Sequence, residues 1–168
     1  KVAVVGSGPA GLACANRLNR MGYSVTVYEK DELPGGLLRF GIPNFKLGKE
    51  IVRRRIRLME EEGIVFKTGV CIGSDIKSSD ILEKYDAVCL AIGSETPRDL
   101  PVEGRGLSGV HFALELLSMQ NRLLEGIPVP PEKQINARGK KVLVIGGGDT
   151  GSDCVGTANR HGAASVTQ

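Results

Sequence analysis

Two short glycine-rich stretches carry the residue types that handle phosphate. The first is Gly6-Ser7-Gly8-Pro9-Ala10-Gly11; the second, Gly146-Gly147-Gly148-Asp149-Thr150-Gly151, repeats its Gly-x-Gly-x-x-Gly spacing. In such a turn Gly6 permits the tight bend, Gly8 lets the backbone approach a pyrophosphate, and Gly11 lets helix and strand pack closely. Pro9 and Ala10 open a helix, whose unpaired N–H groups and partial positive charge attract phosphate oxygens. Glu29 follows Gly11 by 18 residues, where a carboxylate accepts hydrogen bonds from the ribose hydroxyls of an adenosine and repels a 2′-phosphate. The first nucleotide therefore reads as FAD or NAD rather than NADP. Gly146, Gly148 and Gly151 suit a second pyrophosphate, with Asp149 and Thr150 opening that helix; the residue that would separate NADH from NADPH falls past Gln168.

The elements that must position these turns can be read from hydropathy patterning. Residues 1–5 are an apolar, β-branched strand, 9–21 an amphipathic helix closed by Gly22, and 24–28 a second strand. Residues 31–36 form a turn, 37–47 an irregular apolar stretch pinned by Pro43, and 48–62 a helix. Short strand segments are expected at 64–67 and 70–72, a helix at 79–84, and a strand over 87–92 that stops at Gly93. A loop spans 97–108, a helix 111–124, and a proline-rich linker 126–138. Residues 140–145 form a strand, a helix runs to about residue 161, and a strand begins at Ser165. Strands alternating with helices predict an α/β fold with a parallel sheet. The expected organisation is a Rossmann-like FAD-binding domain in 1–125, a linker in 126–138, and the start of an inserted NAD(P)-binding unit in 139–168. A solitary strand and helix cannot bury their apolar faces. Residues 140–168 should then pack on the first domain, pair with a second copy, or be poorly ordered.

Composition narrows the function classes. The chain has 168 residues and 23 glycines in clusters rather than a repeat, which excludes collagen and solenoids. It opens directly on a strand at Lys1 and reads as a piece of a longer protein. No apolar run reaches the roughly 18 residues that span a bilayer, and a net charge of +3 is too small to argue for nucleic acid. The basic run Arg53-Arg54-Arg55-Ile56-Arg57, followed by Glu60-Glu61-Glu62, reads as a solvated helix face with local ion pairs. Cys14, Cys71, Cys89 and Cys154 are too widely spaced for a zinc or iron–sulfur site or a short-range redox disulfide. Free thiols in a reducing cytoplasm are expected. Two dinucleotide turns about 140 residues apart suggest a flavoprotein that takes electrons from a pyridine nucleotide.

The blocks Gly6-Ser7-Gly8-Pro9-Ala10-Gly11-Leu12, Tyr28-Glu29-Lys30 and Pro34-Gly35-Gly36-Leu37-Leu38-Arg39-Phe40-Gly41-Ile42-Pro43-Asn44-Phe45-Lys46-Leu47 resemble the glutamate synthase small-chain family, within the pyridine nucleotide-disulfide oxidoreductase-like superfamily. The continuation Asp153-Cys154-Val155-Gly156-Thr157 resembles the same family. The resemblance implies that Gly8 to Gly11 cradle the FAD pyrophosphate and that Glu29 and Lys30 hold the adenosine ribose. It implies that Gly36 and Leu37 lie on the flavin side, that Lys46 contacts the cofactor, and that the Ile72 backbone pairs with adenine. Ala91-Ile92-Gly93 resembles a block that passes beside the phosphates, with Ile92 in place of a threonine. Gly146 to Gly151 would take the NAD(P)H pyrophosphate.

The implied activity is hydride transfer from NAD(P)H to FAD, with electrons passed through iron–sulfur clusters outside this chain to a large subunit that makes glutamate from glutamine and 2-oxoglutarate. A homo-oligomer is compatible with this. Such transfer depends on positioning, so no catalytic residue is named. Disulfide reductases keep a short-spaced cysteine pair, and flavin monooxygenases a Phe-x-Gly…His-x-x-x-Trp stretch; this chain has neither the pair nor any tryptophan. A ferredoxin-coupled reductase, a dihydropyrimidine dehydrogenase-like module and a non-catalytic nucleotide-binding module are the alternatives.

Overall fold

The run Val2-Ala3-Val4-Val5 forms β1 (Val2–Val5), buried along its whole length, as a central parallel strand covered on both faces must be. The computed structural model describes all 168 residues. It places β1 between β2 (Val25–Tyr28) and β4 (Ala87–Leu90), with β3 (Val65–Lys67) outside β2. The order β3-β2-β1-β4 is parallel throughout. Val2 lies opposite Val25 on one side and Ala87 on the other. Chain direction across the sheet therefore reverses at β1, and open α/β sheets bind ligands at the carboxyl end of such a reversal. Gly6 stands at that end.

Helix α1 (Pro9–Arg20) starts on Pro9 and caps on an extended Gly8. Proline suits the first helical position because its missing N–H would be unpaired there anyway. Gly11, Leu12 and Ala15 are its buried face. After α2 (Leu37–Phe40), helix α3 (Lys49–Glu61) buries Lys49, Val52, Ile56 and Met59 at helical spacing. Arg53, Arg54, Arg55 and Arg57 are exposed, and Arg57 pairs with Glu61 at 3.5 Å, the solvated face expected of that run. Helix α4 (Ser78–Lys84) contributes Ile81 to a core with Ala3, Tyr28 and Tyr85. The Tyr28 and Tyr85 rings meet edge to face at 6.1 Å, and their hydroxyls hydrogen-bond at 3.0 Å.

The chain divides into two compact units, Lys1–Arg39 with Gly48–Ser94, and Phe40–Leu47 with Glu95–Gln168. The second contains α5 (Ala113–Leu124), a 3-10 turn at Pro131–Lys133, β5 (Lys141–Leu143), α6 (Asp149–Arg160) and β6 (Ser165–Thr167). β5 and β6 pair in parallel, Val142 opposite Val166. Helix α6 packs on α5. Residues 140–168 thus share one compact unit with α5.

Two local expectations are corrected. Residues 70–72 are not a strand; only an isolated bridge joins Ile72 to Ile76. Gly69 and Gly73 flank the segment at φ +66° and +104°, and backbone of that hand cannot continue a strand. Residues 37–47 begin with a helical turn, because Gly35 and Gly36 supply carbonyls for the N–H groups of Leu38 and Arg39 at 3.1 and 3.0 Å.

Candidate functional site

The first glycine turn is built where side chains cannot fit. Gly6 has φ +101°, and a Cβ there would lie 2.2 Å from the Ala91 carbonyl oxygen. A Cβ on Gly11 would lie 2.0 Å from the Gly6 oxygen, so the turn folds directly onto its own helix. A Cβ on Gly36, at φ +51°, would come within 2.7 Å of the Gly8 Cα. At Gly8 itself a Cβ meets nothing within 4 Å. The turn thus has backbone walls and one open face, above an α1 terminus with no side-chain cap and no acidic residue in its first turn. Pro9 and Ala10, both exposed, border that face. Such a cradle fits a pyrophosphate on the helix N-terminus.

Glu29, 6% exposed, directly follows β2 beside this turn. Its Oε2 accepts the backbone N–H of Ser7 at 2.9 Å and the Ser7 hydroxyl. Its Oε1 accepts the Asp31 N–H at 3.0 Å. A carboxylate offers about four acceptor positions, so capacity remains for a ribose hydroxyl. Lys30 follows on the surface. Ser7 also accepts the Gly35 N–H at 2.9 Å, tying the turn to the loop that carries Gly36 and the half-exposed Leu37. Ala91 adjoins both Gly6 and Gly11, and Gly93 follows with φ +71°. Ile72 is half-buried in a turn closed by the Gly73 N–H donating to the Ile76 carbonyl at 2.7 Å.

The second turn has the same geometry. Gly146 has φ +130°, and a Cβ on Gly151 would lie 2.3 Å from the Gly146 oxygen. Gly148 caps α6 at φ −84°, ψ −176°, close to the −66°, 179° of Gly8. Around Gly147 and Gly148 a Cβ would meet open space. Asp149 and Thr150 open the helix, and the Asp149 charge suits its positive end.

Several contacts in and around these turns leave no local spacing to read. Ser7 occupies a variable motif position, yet is fully buried and joins two loops. Arg39, 2% exposed, donates to the Pro34 carbonyl at 2.6 Å. Lys46 places its ammonium against the Asp153 carboxylate of α6. Cys14 and Cys89 are far apart in sequence but neighbours in the fold; burial, then the Cys89 thiol, pushes the Cys14 thiol up. Both remain free thiols. Pro43, Phe45, Leu117, Asn121, Arg160 and His161 help line an open cleft of about 320 Å³ in the second unit.

These features can be set beside known proteins. The family model described as pyridine nucleotide-disulphide oxidoreductase matches residues 1–168. The chain belongs to that family. It is 52% identical over 168 residues to the glutamate synthase [NADPH] small chain of Bacillus subtilis, covering 100% of this chain and 34% of that protein. To glutamate synthase [NADH] of Saccharomyces cerevisiae it is 54% identical over 167 residues, covering 98% of this chain and 8% of that protein. It thus spans 34% of one of these relatives and 8% of the other. Among solved structures, Mycobacterium tuberculosis FprA in complex with NADPH superposes with a TM-score of 0.76 at 23% identity, over 98% of this chain and 42% of the other. That likeness confirms the Rossmann-like α/β fold. No helix is long and apolar enough to cross a membrane.

Proposed function

We propose that this chain is the nucleotide-binding part of the electron-input flavoprotein of a cytoplasmic glutamate synthase. The observation that carries this reading is the pair of congruent glycine turns, at Gly6–Gly11 and Gly146–Gly151, in a chain 52% identical throughout to a glutamate synthase small chain. Gly6, Gly8, Pro9, Ala10 and Gly11 hold the FAD pyrophosphate at the α1 terminus. Glu29, with Lys30 beside it, takes the adenosine ribose, and Ile72 presents backbone to the adenine. Gly36, Leu37 and Gly93 border the same cofactor. Gly146, Gly148, Asp149, Thr150 and Gly151 take the pyrophosphate of NAD(P)H.

When bound, the flavin would accept a hydride from nicotinamide and release electrons singly. The chain's own contribution is orientation: no side chain needs to move a proton. In this reading the iron–sulfur clusters and the large subunit belong to the rest of the assembly.

The test uses the complete gene product, purified anaerobically with whatever large partner accompanies it. NADPH and NADH oxidation is followed with glutamine and 2-oxoglutarate together, then with each omitted. Oxidation requiring both substrates is the expected result. Oxidation with ferredoxin or dyes alone would reduce the reading to a general flavin reductase.

A further inference from the structure

The two blocks that single this sequence out, residues 41–47 and 153–157, lie more than a hundred residues apart, yet the fold makes them partners. Lys46 pairs its ammonium with the Asp153 carboxylate, a side chain only 11% exposed. The Phe45 ring lies 3.7 Å from the Arg160 guanidinium, whose Nη1 donates to the Gly156 carbonyl at 3.0 Å. Gly156 admits that ring because it has no Cβ; one would stand 2.6 Å from Phe45 Cζ. Asn121 of α5, 1% exposed, holds the other end of the strap through Nδ2, which donates to the carbonyls of Phe40, Gly41 and Ile42 at 3.1, 3.4 and 3.2 Å. Arg122 stacks over the Phe40 ring at 4.7 Å.

All eight residues of the strap, Phe40–Leu47, belong to the same compact unit as α5 and α6. Three of its partners, Asp153, Gly156 and Arg160, come from α6, the helix whose N-terminus carries the second glycine turn. We infer that Phe45 and Lys46, with Asp153, Gly156 and Arg160, are positioning residues that fix the direction of α6, and so the direction in which a nucleotide held at Gly146–Gly151 presents its nicotinamide. The inference rests on the function proposed above. It gives Lys46 a role toward α6 rather than as a direct flavin contact. The turn's own backbone is untouched by the lock, so nucleotide binding and hydride delivery should separate: binding depends on the turn, delivery on the helix direction. Small misplacements of reacting groups cost rate steeply.

The test takes the full-length holoprotein and four variants: Lys46→Met, Lys46→Arg, Asp153→Asn and Gly156→Ala. Four quantities are measured: flavin content from the 450 nm absorbance, affinity for oxidised nicotinamide nucleotide by calorimetry, the anaerobic rate of flavin bleaching at saturating NAD(P)H, and the melting temperature. The lock requires flavin content and nucleotide affinity within about threefold of wild type, with bleaching slowed about tenfold in K46M, D153N and G156A. K46R, which keeps the cation, should bleach at close to the wild-type rate. Gly156→Ala is the decisive variant, because alanine favours a helix and should not lower the melting temperature while it drives Phe45 off Arg160. A wild-type bleaching rate in G156A, or rate and melting temperature falling together with no rescue in K46R, overturns the inference. If the wild-type protein is itself not bleached by either nucleotide, the functional reading fails and this inference falls with it. A Lys46–Asp153 coupling in melting temperature, read by adding the Lys46→Met/Asp153→Asn double variant, would still appear in that case, which tells the two failures apart.

Discussion

The hydroxyl of Ser7 donates to Oε2 of Glu29, and the Ser7 backbone N–H donates to the same oxygen at 2.9 Å. A variable position of the glycine motif thereby holds the carboxylate expected to receive the ribose. The same hydroxyl accepts the Gly35 N–H, so one buried side chain sets the spacing of three loop segments.

Ser7→Ala should therefore act on both stability and cofactor retention. It leaves the Gly35 N–H without this acceptor in a buried setting, which costs about 1–3 kcal/mol. The expected result is a lower melting temperature and a reduced flavin-to-protein ratio after gel filtration. Full flavin retention would separate Ser7 from the site.

Gly8 and Gly11 predict opposite phenotypes. Gly11→Ala drives a Cβ to 2.0 Å from the Gly6 carbonyl oxygen, backbone that cannot yield cheaply. A loss of roughly 3 kcal/mol or more is expected. Gly8→Ala meets only open space at an ordinary φ of −66°. It should keep the melting temperature of the flavin-free protein within a degree or two while weakening FAD binding at least about tenfold, because its methyl fills the open face. Thermal melts with and without FAD read both effects.

His161 gives stability a pH dependence. Its Nδ1 accepts the Ala137 N–H at 3.4 Å and its Nε2 faces Gln120 Oε1 at 2.8 Å, an arrangement made for the neutral ring. Burial lowers its pKa below the ordinary 6.5. Because the folded value is the lower one, the stabilisation is present above about pH 6.5 and is lost as pH falls through the folded value. His161→Gln should flatten the melting temperature between about pH 7 and pH 5, where wild type declines. An identical decline in the variant would remove His161 from the account.

Tyr28 and Tyr85 should titrate separately. Burial, then the hydrogen bond and charge of Tyr85, pushes Tyr28 up to about 12. Burial would also raise Tyr85, but hydrogen bonds from Thr26 and Tyr28 and the nearby Lys84 and Lys67 ammoniums outweigh it and bring that phenol down. In alkaline difference spectra at 295 nm, Tyr85→Phe should remove an early ionisation and Tyr28→Phe a late one. The reverse assignment would show that the lysines do not govern the pair.

Both glycine turns could be read from sequence because each motif and its strand and helix are contiguous. Glu29 was legible for the same reason, at a fixed distance from Gly11 along one βαβ unit. The strand read at 70–72 failed because apolar, β-branched content outweighed two glycines whose left-handed backbone only the fold reveals. Nothing local in the sequence announces that the Arg39 guanidinium is buried and donates to the Pro34 carbonyl. The Lys46–Asp153 pair was invisible for a different reason: long-range pairing leaves no spacing to read.

The near-contact between Gly36 and the Gly8 Cα has a practical consequence for redesign. At Gly36 and Gly8, residues 34–37 and 6–11 approach main chain to main chain, with the buried Ser7 hydroxyl joining them at Gly35. A cofactor-swapping graft that imports one of these loops from another reductase, leaving the other behind, would inherit a mismatched pair of surfaces. The smallest transplantable part of this cradle is both loops together, with Ser7 as their shared pin.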